Sequence, residues 1–388
     1  VTRLIQACTL IVALAACSSL SPVPDYSRPL PAGAPALLPL GPGEPLPDFS
    51  ADWTRRDATR KALAGSLDWM AKPSARGHFP AAGIDYDRAL ASLQRFSELL
   101  EQSRSGSDFS RRLQREFTVY KSAGWDGRGG GVLFTGYYTP ILDGSRERTG
   151  QFRYPLHGLP DDLVKDEAGQ TLGRKTAMGM RSSYPDRGTI ERNDLLSGKG
   201  LELAWMRDPF DAYIAHVNGS AVIRLRDGEL LRLGYAGTNG HEYSSLREAL
   251  VRDRKIDAGT ANLVTMRSWA AANPGELPGY MARNKRYVFF TPINGNPRGS
   301  LNVEVTPERT LATDKTLFPR AAVVYVDASL GLAGAGKPFS TFMFDQDTGG
   351  AIRTAGRADI YLGTGPTAER LAGTTQNKGQ LYYLFLNE

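Results

Sequence analysis

The chain has 388 residues, 41% hydrophobic and 23% charged, with 47 Lys plus Arg against 41 Asp plus Glu and a net charge of +6. These are ordinary values for a globular protein with a proper core, and the length suits two domains. Its 42 glycines and 24 prolines favour a turn-rich, β-containing fold over a helical bundle. The mild basic excess suits an acidic polymer or an anionic membrane face without choosing between them. Both cysteines, Cys8 and Cys17, lie at the N-terminus, so the remaining chain can carry no disulfide, thiolate nucleophile or cysteine metal site.

In chain order, Arg3 precedes an apolar run, Leu10–Ala16, and then Cys17-Ser18-Ser19. A basic start, a short apolar core and small residues make an export signal too short to span a bilayer. Leu14-Ala15-Ala16-Cys17 resembles the bacterial lipobox, which implies a signal peptide and lipobox over residues 1–17, with Cys17 the lipidated first residue after cleavage. Ser18 in place of Asp resembles the pattern sent on to the outer membrane. Nine prolines between Pro22 and Pro47 then predict a semi-extended tether over 18–50 that is not part of a fold, with order beginning near Phe49-Ser50.

Residues 53–120 read as helical. Leu63, Leu67, Trp69 and Met70 recur at helical spacing, as do Leu90, Leu93, Phe96, Leu99 and Leu100. A third helix is expected over Ser110–Tyr120. Gly127 and Gly129–Gly131 lack a following Gly-Lys-Ser/Thr and read as a hairpin connection into the β-rich run Val132–Pro140. Further strands are expected at Ala212–Val217, Ala221–Leu225 and Leu230–Gly234, with Asp227-Gly228 as a turn. Helices follow near Ser244–Arg254 and Gly259–Ala272, and strands return after Tyr287, at Ala321–Val326, Thr341–Phe344 and Leu381–Leu386.

Few side chains are left for proton chemistry. His78, His157, His216 and His241 are dispersed, and none has a second ligand at i+3 or i+4, so neither metal nor cofactor is expected. No Gly-x-Ser-x-Gly elbow is present. Carboxylates concentrate in Phe344–Ile352 and Gly356–Gly365. Strand alternation over 359–362 turns Ile360 and Leu362 one way and Asp359 and Tyr361 the other. An Asp near other carboxylates can hold its proton to higher pH and donate it to a leaving oxygen. Asp345 and Asp347 could equally serve turns.

Asp347–Ile352 followed by Ala358–Gly365 is similar to the C-terminal signature of the membrane-bound lytic murein transglycosylase A (MltA) family. Phe134–Pro140, Tyr235–His241 and Leu311–Asp314 match the same family in the same order, and the resemblance covers roughly residues 60 to 388. It implies a mainly β fold with a helical N-terminal part: a double-psi β-barrel from 51–140 and 294–388, interrupted by a second β-barrel-like domain at 141–293, with a glycan groove between them. It places the catalytic aspartate at Asp359. Asp314 and Asp347 would be acidic groove residues, with Gly136, Tyr137, Tyr138, Thr139, Asn239, Gly240 and His241 binding substrate. Asn218–Ala221, the spacing between Asp347 and Asp359, and residues 297–310 depart from the family pattern.

The reaction implied is cleavage between N-acetylmuramic acid and N-acetylglucosamine in peptidoglycan. The C6 hydroxyl of the same muramic ring replaces water, leaving a 1,6-anhydro end. A tethered nucleophile has a high effective concentration, so one group can serve as acid and then base. The expected location is the periplasmic face of the outer membrane. The expected partners are glycan strands and the membrane, with wall-synthesis or division proteins possible and no nucleic acid. A non-catalytic peptidoglycan-binding lipoprotein on the same scaffold, or a scaffold for other wall enzymes, is the alternative.

Overall fold

A computed structural model of the chain describes residues 23–166, 169–176, 179, 181–330 and 337–388. The export signal and Cys17 lie outside them. Among the described residues no helix is long and apolar enough to cross a membrane.

Three strands come first, β1 (Leu37–Pro39), β2 (Phe117–Ser122) and β3 (Val132–Thr139). They are followed by β4 (Ile141–Ser145), β5 (Tyr154–His157), β6 (Leu163–Lys165), β7 (Thr171–Lys175), β8 (Arg181–Ser182), β9 (Glu202–Met206), β10 (Ala221–Leu225), β11 (Leu230–Thr238) and β12 (Val288–Pro292). The last five are β13 (Thr310–Ala312), β14 (Val323–Leu330), β15 (Lys337–Asp347), β16 (Arg357–Thr364) and β17 (Gln376–Leu386). The fold is a mixture of helix and barrel-like sheet. One sheet runs β1-β2-β17-β14-β15-β13-β16-β3, and a further pairing of β17 with β3 closes its last six strands into a ring. A second sheet, β12-β11-β10-β4-β9-β5, is drawn entirely from the stretch between β3 and β13. The β6–β8 strands form a small third sheet.

Helices α1 (Arg56–Met70), α2 (Tyr86–Gln102) and α3 (Gly106–Glu116) cover the ring. Each of the last two starts where a side chain meets an otherwise unpaired amide: Asp85 accepts from Arg88 N–H and Ser105 from Asp108 N–H. Their buried faces repeat every three to four residues, as in Ala89, Ser92, Leu93, Phe96, Leu99 and Leu100. Phe96 meets Phe109, Phe342 and Phe344 edge-on, locking helix to β15.

Four local expectations are corrected. Ala212–Val217 lies in a helix, Pro209–Asn218: Asp208 caps it, Pro209 opens it, and Gly219 closes it in the left-handed conformation. Those end signals override an apolar run that reads equally well as a strand. The third helix runs Gly106–Glu116 rather than Ser110–Tyr120, because the β-branched and aromatic Phe117-Thr118-Val119-Tyr120 pairs with β17. The glycine cluster is not a hairpin. β2 and β3 both pair with β17, at Tyr382–Leu386 and Gln376–Gly379, so the glycines carry the chain between two stations on one strand. Finally, the proline-rich stretch is not all tether. Leu37–Pro39 pairs with Tyr120–Ser122, and Ala36 and Leu37 are buried in the barrel core. Proline is tolerated there because β1 is an edge strand.

Candidate active site

Parallel pairing of β16 with β3 sets Asp359 opposite Thr135 and Tyr361 opposite Tyr137. Thr135, Tyr137 and Thr139 share one face of β3, and Asp359 and Tyr361 share the matching face of β16. The intervening Phe134, Ile360 and Leu362 are buried in the barrel core. Gly136 belongs to that core side too. A Cβ there would collide with Leu362 and stand 3.0 Å from Ala372 Cα, so close packing is its role.

Asp347 reaches the same face from β15. Leu311 pairs with Asp345 but Ala312 with Asp347, a bulge at Gln346. The bulge is pinned by the buried Gln346 amide, which donates to the Ala62 carbonyl at 2.6 Å and Ser66 Oγ at 3.0 Å and accepts from Thr310 Oγ1 at 2.9 Å. The Tyr137 hydroxyl donates to Asp347 Oδ2 at 2.7 Å, while Ser300 and Thr348 N–H groups each donate to Oδ1 at 2.8 Å. Tyr137 in turn lies 5.2 Å from Tyr361, ring to ring, and the Tyr361 hydroxyl is 3.1 Å from both Thr139 and Thr364.

The two carboxyls differ in proton affinity for a visible reason. Burial raises Asp359 from 3.8 to about 6; Thr135, donating at 2.9 Å, and the Arg357 charge offset part of this, and Asp347 adds to it. Burial also raises Asp347, but three hydrogen bonds and the Lys315 charge pull it back. Three donors favour the anion far better than one. Of the two, Asp347 is therefore the readier to ionise and Asp359 the readier to hold a proton.

Of the remaining sequence candidates, only Thr139 shares this face. Tyr138 is 4% exposed and packs with Phe210, Tyr213, Trp269 and Leu277, away from the carboxyls. Asp314, expected in the groove, is buried, with Oδ1 accepting from Thr316 and Oδ2 from Thr354, so it serves loops. Thr139 is buried and bridges toward Ser220 Oγ at 3.4 Å. Asn239 is buried too, donating to the Pro185 and Lys285 carbonyls and accepting from Tyr287 N–H. His241 Nε2 donates to the Tyr184 carbonyl at 2.7 Å, and Gly240 turns the chain at φ +80° against Thr171. Asn239–His241 thus stitch loops of the second sheet together. From that region Tyr243 approaches the β15–β16 loop: a Cβ on Gly350 would stand 3.0 Å from its Cβ. Burial chiefly, with Asp359 among the surrounding negative charges, holds its phenol protonated.

Sequence reading missed Thr135, Arg357, Ser300 and Tyr243. The first was legible as one more alternation step from Tyr137; Arg357 and Asp359 stand two apart on one strand. Nothing local marks Ser300 or Tyr243. Among the described residues no three His, Cys, Asp or Glu side chains form a group able to hold a metal ion.

Residues 133–291 match a family model described as the MltA specific insert domain, and residues 309–385 match one described as the 3D domain. The chain is 27% identical over 263 residues to membrane-bound lytic murein transglycosylase A of Vibrio cholerae, spanning 66% of this chain and 66% of that protein. It is 28% identical over 296 residues to the Escherichia coli K12 protein of the same name, spanning 74% and 75%. The structure resembles a membrane-bound lytic murein transglycosylase from Agrobacterium tumefaciens with a TM-score of 0.74 at 27% identity, covering 87% of this chain and 95% of that one. The family models, the relatives and the fold all make the chain similar to the MltA family. Escherichia coli MltA with bound chitohexaose shares the fold, with a TM-score of 0.68 at 22% identity over 94% of this chain and 96% of that one. In MltA terms the insert match coincides with the second sheet, and the 3D match contains both Asp347 and Asp359.

Proposed function

We propose that this protein is a peptidoglycan lytic transglycosylase in which Asp359 is the general acid and then the base. The observation that carries this is the pair of unlike carboxyls: Asp359 with one hydrogen-bond donor and raised proton affinity, beside Asp347 with three. Asp359 donates its proton to the oxygen between N-acetylmuramic acid and N-acetylglucosamine. Asp347, held as the anion, favours positive charge developing on the muramic ring. The Asp359 carboxylate then accepts the proton of the C6 hydroxyl as that oxygen closes on C1, leaving a 1,6-anhydro end. One carboxyl suffices because the nucleophile belongs to the substrate, whereas a hydrolase needs a second group to activate water or attack the sugar.

The six-strand ring, with parallel pairs β13–β15 and β16–β3 among antiparallel ones, supports a double-psi barrel built from 51–140 and 294–388 around an insertion at 141–293. Tyr243 and Arg286, approaching Gly350 from the insertion, support a groove between the two. The names of the relatives support membrane association. Together with the lipobox this favours a lipid anchor on Cys17 at the periplasmic face of the outer membrane.

The test is digestion of purified murein sacculi with mass analysis of the fragments. The wild type should release anhydro ends, one water lighter than reducing ends, and Asp359→Asn should release almost none. Reducing ends would make the protein a hydrolase. Binding without any fragments would make it a non-catalytic glycan-binding lipoprotein.

A further inference from the structure

The loop joining the two site carboxyls, 348–356, has a buried anchor at Thr354. Thr354 is 4% exposed with φ +110°, a backbone region that β-branched residues rarely adopt. Three hydrogen bonds keep it there. Its N–H donates to Asp314 Oδ2 at 3.0 Å, its hydroxyl donates to the Tyr26 carbonyl at 2.8 Å, and Gly356 N–H donates back to that hydroxyl at 3.3 Å. The other Asp314 oxygen accepts from the Thr316 amide and hydroxyl, at 3.0 and 2.7 Å, which orients the carboxylate.

The next two residues transmit the constraint. Ser122 Oγ donates to the Ala355 carbonyl at 2.7 Å. Gly356 lies so close to Trp125 that an added Cβ would stand 2.9 Å from its Cα. Its carbonyl accepts from Leu133 N–H at 2.8 Å, the bond that opens the β16–β3 ladder. Because strand side chains alternate, a slip of one residue here would turn Asp359 from the site to the core. A backbone conformation of this kind persists only where its surroundings over-determine it, and such places cluster at functional sites.

We propose that Asp314, Thr354 and the Tyr26 carbonyl form a latch that sets the register at which β16 enters the barrel and so keeps Asp359 facing the site. Asp314 and Thr354 are then positioning residues, and the segment leading out of the expected tether is docked onto the catalytic loop. The proposal rests on the reading of Asp359 as the proton donor.

The test uses the full chain with Thr354→Val, which keeps the branched shape and removes the hydroxyl, and Thr354→Ser, which restores it. Misplacement of the acid should lower kcat on sacculi between ~10- and ~10²-fold with KM within about twofold, and Ser should return most of the loss. The Asp359 carboxyl, followed by ¹³C NMR, should titrate near 6 in the wild type and higher in Thr354→Val, where its side chain turns toward the apolar core. A melting temperature that falls while kcat per folded molecule and this titration stay unchanged would reduce the latch to ordinary packing and overturn the proposal. If Thr354→Val does not fold, Asp314→Asn decides on the same readouts, since it keeps the Thr316 cap but sets an amide against Thr354 N–H. A wild type that releases no fragments refutes the enzymatic reading by itself, and the Asp359 titration then decides the latch alone.

Discussion

Replacing Asp359 by Asn should disable the protein and stabilise it at once. A carboxyl whose proton affinity rises from 3.8 to about 6 on folding binds its proton more tightly in the native state. Below pH 3.8 both states are protonated and nothing is lost. As pH rises through 3.8 to 6 the unfolded chain ionises freely while the folded one resists, so wild-type stability falls and then levels off above 6. At about 1.4 kcal/mol per tenfold in proton affinity, the cost above pH 6 approaches about 3 kcal/mol. Asparagine still accepts from Thr135 and never ionises, so it escapes that cost. Thermal unfolding at pH 7.5 should show Asp359→Asn melting roughly 3–6 °C above wild type, and the gap should close by about pH 4. Turnover of sacculi should fall at least ~10²-fold, the usual scale for losing a general acid–base group. An Asn variant equally or less stable at pH 7.5, or a gap independent of pH, would refute the burial argument. A stabilised variant with full activity would move the proton chemistry elsewhere, with Asp347 next in line.

Tyr137→Phe removes one of the three donors on Asp347. The loss of a hydrogen bond to a charged group, about 1.5–3 kcal/mol, should lower kcat/KM on sacculi by roughly ten- to a hundredfold without changing the secondary structure seen by circular dichroism. Gly136→Ala drives a methyl into Leu362 and Ala372 and should cost about 1–3 kcal/mol of stability in denaturant titration, with KM unchanged in the folded fraction. His157 is buried, with its Nδ1 2.8 Å from the Tyr287 hydroxyl, and burial lowers it from 6.5 to about 4. Its unfolded form takes a proton first, so stability is complete above pH 6.5 and falls by up to about 3 kcal/mol toward pH 4. Asp359 contributes the opposite slope over much of that range, so the readout is the difference in urea midpoint between wild type and His157→Phe, which should shift in favour of the variant as pH falls from 6.5 to 4. Cys17→Ala should shift the protein from the membrane pellet to the soluble fraction, and a variant that still pellets would remove the lipobox from the account.

Much of the architecture is written in short-range pattern. The helices near Leu63 and Phe96, the Asp227-Gly228 turn and the strands around Val324 and Leu384 follow from periodicity and capping, which are properties of neighbouring residues. The family, likewise, is legible because four short stretches keep their order. Ala212–Val217 was not legible, because six apolar residues carry no period of their own and the decision fell to Asp208, Pro209 and Gly219 at the ends. Nor was the docking of Leu37–Pro39, since β1 exists only where β2 offers a free edge.

For the site, residue type and spacing pick out the carboxyls, and it is the family resemblance, not their own chemistry, that singles out Asp359. Asp314, Asp345, Asp347 and Asp359 are chemically identical in an extended chain. Folding surrounds Asp314 with Thr316 and Thr354, and buries Asp345 completely against Lys315, Thr313 and Tyr383. It gives Asp347 three donors and leaves Asp359 with Thr135 alone. A carboxyl's proton affinity depends on its hydration and on the donors it meets, and those donors arrive from segments up to 224 residues away. Residue type and order therefore determined that acid chemistry was available, while only the packing of β3, β15 and β16 decided which acid keeps its proton.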